Sequence, residues 1–545
     1  MESIRIEKLR CLTDTGDIAI KPVTVLLGQN SSGKSTFLRV FPLLKQSIES
    51  RTTGPILWNG RLVDFGNYDD AHQSSSTNSI LFHFKFQVKK NKDSWEYRRL
   101  LFAFDELSKQ ILHDLDINLI LKITKDKNQE VTKISEITLC FSDSKIIIEF
   151  DKGDNISAFS VNSLNVLEHG GKYIFRQSDN NYLLPTIYES MVSKKETASE
   201  IDLSSKFLRM SRYRNFLTLA QILFDCIKKR VHHFTAKNTI LTILFSFGIG
   251  DSESMLNDIQ NNKSAGKRWK NHTKKWTTET KEFQEIRDLI IANAVPLILE
   301  SCNQLIANLA ERVKYMGPVR ATAERYYRIQ DLAIDEVDYQ GQNLAMFFRN
   351  LTKSEKDDFD KWTHEYFGFK LSIESSLGHI SLKIQSEDSN QPINVADTGF
   401  GFSQILPVIT QLWLLSSALP KRGGALPKRE RVGRGRDNIS PVIFAIEQPE
   451  FHLHPRLQGV LTDAFVKSIK AAKANEIDLR LMIETHSEAL VNRLGDLVAD
   501  GTIAAEDINI VLFEPAGEPD KVNVRIAEFD SEGYLVNWAL GFFNR

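Results

Sequence analysis

The residues Gly28-Gln29-Asn30-Ser31-Ser32-Gly33-Lys34-Ser35-Thr36 place two glycines, a lysine and a pair of hydroxyls at the spacing GxxxxGK[ST]. That spacing suits one kind of chemistry, the cradling of a polyphosphate. The glycines let successive backbone N–H groups curl around phosphate oxygens, and the opening turn of the following helix adds its dipole. Lys34 is expected at the terminal phosphates and the Ser35 hydroxyl on a divalent ion, so ATP and Mg2+ are the expected ligands. An ion held this way needs an acid on a neighbouring strand. Val442-Ile-Phe-Ala-Ile446 supplies an apolar segment that ends in Glu447, which is the expected metal-binding acid. A second, largely apolar run, Leu479–Ile483, leads into Glu484-Thr485-His486-Ser487 and makes His486 a catalytic candidate. His452 and His454 alternate along a turn with no further ligand beside them, which fits structural packing better than a metal pair.

These residues can act together only if regular elements hold them. The β-branched run Val23-Thr-Val-Leu-Leu27 stands directly before the glycines and reads as a fully buried strand, and Phe37-Leu-Arg-Val-Phe-Pro-Leu-Leu44 after them reads as a helix. A Gly/Ser-rich turn arising by chance would have neither flank. Ile4–Leu9 alternates as a strand would. From about Ser79 to Arg176, runs such as LFHFKFQV, INLILKIT and KIIIEF recur between the polar breaks KKNKDS, KDKNQE and DKGDN, the pattern of an antiparallel sheet. From about Ser204 to Met316 the period becomes helical. Phe207, Met210, Leu217, Leu223, Cys226, Ile227 and Val231 can share one face, and Ile286, Ile290, Ala294, Leu297, Leu305 and Leu309 another, with Pro296 predicted to kink or divide the second helix. No heptad is sustained, which excludes long coiled-coil arms. The expected architecture is α/β: a head made of residues 1–75 and 311–545, with an antiparallel β-lobe over 76–200 and a helical insertion over 201–310.

A chain of 545 residues is too long for one ordinary core, and 42% hydrophobic with 26% charged residues is the composition of a globular protein. Sixty-nine Lys+Arg against 70 Asp+Glu leave a net charge of −1, so no global field draws in nucleic acid or membrane, and any basic surface must be local. The start MESIRIEKLR carries charges where a secretory segment is apolar. The longest apolar stretch, Thr239–Phe247, is far shorter than the roughly twenty residues that cross a bilayer, so a cytoplasmic protein with no membrane partner is expected. Cys11, Cys140, Cys226 and Cys302 are widely separated, which argues against a zinc ribbon or a disulfide framework.

The order of the motifs, with the cradle first, Glu447-Gln448-Pro-Glu450-Phe-His452-Leu-His454-Pro455 far downstream and Glu484-Thr485-His486-Ser487 after it, resembles the ABC-type ATPases of the RecF, SMC and overcoming-lysogenization-defect (OLD) group. Within that group it is most similar to the PtuA ATPases of Septu-type anti-phage defence, particularly those encoded beside retrons. The resemblance covers both ends of the chain and leaves out about residues 75–310. It implies an ABC-type P-loop ATPase head, and it places the signature motif of such heads on Asp397-Thr398-Gly399-Phe400-Gly401-Phe402-Ser403-Gln404. Small residues are needed there because the backbone and the Ser403 hydroxyl must approach a γ-phosphate closely. Gly399, Gly401, Ser403 and Gln404 therefore join Gly28 to Thr36 as nucleotide-binding candidates. Tyr315-Met-Gly-Pro-Val-Arg320 and the terminal Trp538-Ala-Leu-Gly-Phe-Phe are similar to segments of small bacterial ATPases in the same group.

Since the signature of one such head completes the site of another, the resemblance implies a head-to-tail homodimer with two ATP molecules at its interface, higher oligomers remaining open. It further implies control of a separate HNH-type nuclease, with a retron reverse transcriptase and its DNA–RNA product as additional partners. OLD nucleases carry a Toprim metal domain after the ATPase, whereas residues 487–545 here are expected to finish an ATPase lobe and to hold no nuclease. The alternative function is a RecF-like DNA-repair ATPase acting on DNA.

This chain departs from the wider group at Gln448, which stands where a glutamate usually polarises the attacking water. Glutamine can orient a water but cannot take its proton. Either Glu450 or the substrate takes that role, or hydrolysis is slow, so Glu447, Gln448, Glu450 and His486 form the catalytic set. Gln73 is the candidate for the metal-binding glutamine of the Q-loop. Two cation-rich stretches complete the inventory. Lys263, Lys267, Arg268, Lys270, Lys274, Lys275 and Lys281 are interleaved with Trp269 and Trp276, and Lys421, Arg422, Lys428, Arg429, Arg431, Arg434 and Arg436 crowd a glycine-rich loop. Each reads as a nucleic-acid or partner contact, or as a solvated face.

Overall fold

Val23–Gly28 is apolar apart from Thr24 because both faces of the sheet it enters are removed from water, and all six of its residues are buried. In this computed structural model, residues 1–73, 79–90, 107, 109–126, 131–151, 155–169, 171–176, 182–190, 216–387, 391–417, 441–516 and 522–538 are described. They divide into two units, one comprising Met1–Ile4, Ser50–Ile56 and Ser76–Ala307, the other Arg5–Glu49, Leu57–Ser75 and Asn308–Arg545. The protein is α/β, with antiparallel sheet and helices, as the sequence pattern leads one to expect.

The second unit is organised on a seven-stranded sheet with the spatial order Lys314–Met316, Val442–Glu447, Leu479–Glu484, Val23–Gly28, Ile508–Pro515, Val522–Phe529, Leu535–Val536. The first five run parallel, and the last two turn back antiparallel. Val25, Leu27, Phe444, Ile446, Leu481, Ile483 and Leu512 share a core with Ile409, Leu412 and Trp413 of the helix Phe400–Ser416. Phe465 of the helix Pro455–Ala474 and Leu494 of the helix Glu488–Ala499 enter the same core. Pro455 opens its helix with the preset φ of a first-turn proline, and the His454 side chain caps it by accepting from the Arg456 N–H at 3.3 Å. His454 is thus a helix cap, and among the described residues no group of three or more His, Cys, Asp or Glu is placed to hold a metal.

The first unit is built differently. Ile80–Val88, Leu115–Lys125, Thr132–Phe141, Ser144–Phe150, Ile156–Val161 and Leu164–Asn165 pair antiparallel in that order. Leu115, Ile117, Leu119, Leu121 and Ile123 alternate with less buried neighbours, the signature of a sheet with one face in a core. Helices follow at Leu217–Arg230, Lys237–Ser246, Ser252–Gln260, Lys267–Thr273 and Lys281–Glu311. The last is continuous through Pro296, so the proline does not divide it. A proline inside a helix costs about 3 kcal/mol, and the burial of Ile290, Ile291, Val295, Ile298 and Leu299 around it offsets that cost. This helix is also the one among the described residues long and apolar enough to cross a membrane, a feature the apolar run lengths had not suggested, and 78% of its apolar window is buried inside the protein. Phe207 and Met210 lie outside the described residues.

Candidate functional site

The phosphate cradle forms where the strand Val23–Gly28 gives way to the short helix Lys34–Leu38. Gly33 precedes the helix at φ 93°, and a Cβ there would come within 2.7 Å of Leu12 Cδ2. A Cβ on Gly28 would collide with the Phe513 carbonyl oxygen of the adjacent strand. Both positions therefore demand glycine, one for its backbone conformation as well as for space. Gln29, Asn30 and Ser31 form an exposed rim, while Ser32, Lys34 and Thr36 are buried and Ser35 is half-buried. The Ser32 hydroxyl is buried without a hydrogen-bond partner and is free to donate to a phosphate oxygen. Lys34 folds over the loop and its Nζ donates to the carbonyls of Gly28 at 2.9 Å and Gln29 at 2.6 Å. Burial holds its ammonium pKa below the usual lysine range, opposed by the nearby charges of Glu484 and Glu450.

Two strand-tip carboxylates stand side by side here, since Glu447 and Glu484 are register partners on adjacent parallel strands. Their hydrogen bonding differs from the expectation. Glu447, expected beside Ser35, accepts from Arg39 Nε and Nη2 at 2.7 Å each and from the Tyr315 hydroxyl at 2.7 Å. The carboxylate that Ser35 touches is Glu484, whose Oε1 accepts from Ser35 Oγ at 2.7 Å. Burial first, and then the neighbouring Glu447 charge, push the Glu484 pKa up to about 7. The Arg39 guanidinium is pushed up by its bonds to Glu447, and the Tyr315 phenol is pushed up by burial and by the same carboxylate.

The turn after Glu447 presents the remaining acids and bases. Gln448 is half-buried in the left-handed region at φ 43°, and its N–H donates to the Glu484 carbonyl at 2.8 Å. Glu450 is half-buried, and its Oε1 accepts the His486 backbone N–H at 2.7 Å. Burial raises the Glu450 pKa. His486 has its pKa lowered by partial burial and by the positive charge of Lys34, so this exposed ring lies within electrostatic reach of the cradle lysine. Gln73 is buried, with its side-chain amide donating to Thr13 Oγ1 at 3.1 Å and its backbone N–H to the Lys8 carbonyl at 3.1 Å.

The signature segment opens the helix Phe400–Ser416 from Gly399, which is exposed at φ 84°. Gly401 lies against the His452 carbonyl, where a Cβ would stand 3.2 Å away, so small residues there allow the two backbones to approach. Ser403 and Gln404 are buried. Gln404 turns into its own chain, with Oε1 accepting from the Arg320 N–H at 3.3 Å and Nε2 donating to the Arg320 carbonyl at 3.1 Å. The Arg320 guanidinium in turn donates to the Glu447 carbonyl at 2.6 Å. The signature helix and the tip of the Glu447 strand are thereby tied through one arginine, and burial brings that arginine's pKa down to about 10.

Sequence reasoning missed Arg39, the Tyr315 hydroxyl, Arg320 and Glu484 as members of the site. A signal existed for Glu484, which ends an apolar run just as Glu447 does. For Arg39 the signal was a lone cation on the otherwise apolar helix after the cradle. The first cation-rich stretch needs a correction at its aromatic members. Trp269 is fully buried and its Nε1 donates to the Ile259 carbonyl at 2.8 Å, so it is a core residue and not a platform for a base. Trp276 is half-buried edge-on to Trp269, with the Arg230 guanidinium 5.7 Å from its ring centre. Lys263, Lys267, Arg268, Lys270, Lys274, Lys275 and Lys281 are exposed. The second stretch, Lys421 to Arg436, lies outside the described residues, as do residues 539–543 of the terminal segment.

A family model described as AAA ATPase domain matches residues 1–491. No curated protein matches the chain. Among solved structures, the SmcHead bound to the C-winged helix domain of ScpA aligns over 97% of this chain and 98% of its own, at 7% identity and a TM-score of 0.34. The recombination mediator protein RecF of the RecFOR pathway, in its ATPrS form, aligns over 96% of this chain and 97% of its own, at 10% identity and a TM-score of 0.25. Its ATP form aligns over 96% and 98%, at 9% identity and a TM-score of 0.27.

Proposed function

The chain belongs to the AAA ATPase domain family, and from that premise we propose that it is an ABC-type ATPase subunit of a Septu- or retron-type anti-phage complex, in which ATP binding and hydrolysis control a separate HNH-type nuclease. The observation that carries the nucleotide chemistry is the meeting of Lys34, Ser35 and the carboxylates Glu447 and Glu484 at one end of a parallel sheet. Lys34 exchanges its loop carbonyls for the terminal phosphates, and the unpartnered Ser32 hydroxyl donates to a phosphate oxygen. Mg2+, when bound, supplies neutralisation of charge on the β- and γ-phosphate oxygens. The residues fit it, since an orphaned buried oxygen, Glu484 Oε2, stands beside the Ser35 hydroxyl. Ser35 would hold the ion with a carboxylate of the two strand tips, with Gln73 as a further candidate ligand.

In this reading Gln448 orients the attacking water, and Glu450, whose pKa burial raises, takes its proton. His486 faces the γ-phosphate from the neighbouring strand end. Gly399, Gly401 and Ser403 reach the nucleotide of a second copy, which makes the working form a head-to-tail homodimer. Motif order and residue types support the defence role, with the retron reverse transcriptase and its DNA–RNA product as further partners. The exposed cations from Lys263 to Lys275 favour a second reading, a RecF-like ATPase acting on DNA. Purification from the native operon, with mass spectrometry of bound proteins, is expected to return a nuclease subunit. Phosphate release in saturating Mg-ATP is expected to be indifferent to duplex DNA. Strong stimulation by DNA with no nuclease partner would overturn the defence role in favour of the RecF-like one.

A further inference from the structure

Resting on that nucleotide-site reading and going beyond it, we propose that Glu484, not Glu447, is the carboxylate that holds the nucleotide's divalent cation with Ser35, while Glu447 serves as the buried anchor of Arg39. The parallel register sets the two carboxylates at the same level of the sheet, so strand length does not choose between them. Their partners do. Both oxygens of Glu447 are engaged, by the two Arg39 donors and the Tyr315 hydroxyl. Drawing Glu447 onto a cation would strip Arg39 of its counter-charge and the phenol of its acceptor.

Glu484 is in the opposite condition. It is buried, its Oε1 has the Ser35 hydroxyl at 2.7 Å, and its Oε2 is shut off from water with no hydrogen-bond partner. A buried oxygen left in that condition carries a desolvation penalty, which a cation at the same spot would remove. The geometry agrees. Two oxygens bound at about 2.0–2.1 Å to adjacent positions of an octahedral Mg2+ stand roughly 2.9 Å apart, close to the 2.7 Å separating Ser35 Oγ from Glu484 Oε1. Charge points the same way, since Arg39 neutralises Glu447 and leaves Glu484 as the less compensated acid of the pair.

The test is ATP binding by calorimetry in Mg2+ and in EDTA, with bound Mn2+ counted by electron paramagnetic resonance in the presence of a non-hydrolysable nucleotide. Wild type should bind ATP at least tenfold more tightly with the cation than without. Glu484→Gln should lose most of that enhancement and most of the bound Mn2+ while its affinity in EDTA stays within about twofold. Glu447→Gln should lower the melting temperature yet keep the enhancement. Should Glu484→Gln fail to fold, Glu484→Asp decides, because it keeps the charge but withdraws it by one methylene and should give an intermediate enhancement. Full enhancement and full Mn2+ occupancy in the folded Glu484 variants, or their loss in Glu447→Gln alone, overturns the assignment. A wild type that binds no ATP in either condition would instead overturn the nucleotide-site reading beneath it.

Discussion

The two units manage charge in opposite ways. In the parallel sheet of the second unit, Val442–Glu447 is apolar until its last residue and Leu479–Glu484 is apolar apart from Arg480 near its start, and the carboxylates collect at one end. In the antiparallel sheet of the first unit, burial alternates along strands such as Leu115–Lys125 and Ser144–Phe150, and the polar side chains are dispersed over a face. Where the first unit does bury a charge, it satisfies it: Asp288 accepts from Asn162 Nδ2 and Arg287 Nε at 2.8 Å each. The second unit satisfies Glu447 in the same way, through Arg39 and Tyr315, but at Glu484 one oxygen is left without a partner. A buried polar group that is fully bonded serves the fold, whereas one left open beside a phosphate cradle is set for a ligand.

The contrast can be broken experimentally, and the largest expected effect is at the cradle. Lys34→Ala should abolish measurable ATP binding in a calorimetric titration while the melting temperature stays within a few degrees, because the side chain faces the loop carbonyls and not a core. In the first unit the corresponding test is Trp269→Ala, which should destabilise the protein by about 3–5 kcal/mol in denaturant unfolding through the cavity it leaves. A loss of nucleic-acid binding with unchanged stability would restore Trp269 as a stacking residue.

Glu447→Ala should be next, at about 2–3 kcal/mol. That lies just below the range of about 3–5 kcal/mol for a broken buried pair, because the abandoned Arg39 side chain is already 29% exposed and can turn to water. An effect of comparable size at most is expected as a pH dependence. The folded pKa of Glu484, raised to about 7, exceeds its unfolded value, so its contribution to the stability of the nucleotide-free protein is full below the ordinary glutamate pKa and is lost as pH rises towards 7. Glu447, Lys34 and Arg39 face the same group, Glu450 adds to the trend and His486 opposes it. The wild-type minus Glu484→Gln difference in melting temperature across that range isolates the slope. Its ceiling is about 3 kcal/mol, and a flat difference would show that Glu484 titrates normally.

Much of this was legible in advance wherever a local pattern carries a physical demand. The cradle was readable because Gly28 and Gly33 meet steric limits that no other residue satisfies, and the strand before it because a doubly covered strand must be largely apolar. Pro296 does not divide its helix, because its cost is local while the packing that offsets it is not. Trp269 misled because cations beside an aromatic in sequence say nothing about which way the aromatic points.

By itself, the sequence determined the elements and motifs whose cause lies within a few residues: the glycine cradle, the largely apolar strands ending in Glu447 and Glu484, and the helix that opens at Gly399. Only the tertiary structure decided how the charges are paired. Arg39 meets Glu447, Tyr315 joins them, Gln404 holds Arg320 against the Glu447 strand tip, and Ser35 falls to Glu484. Those pairings join residues up to 449 positions apart. A carboxylate at the end of a strand is the same in sequence whether it is neutralised or open, and the order of strands in the sheet determines which cation or hydroxyl comes within 3 Å of it.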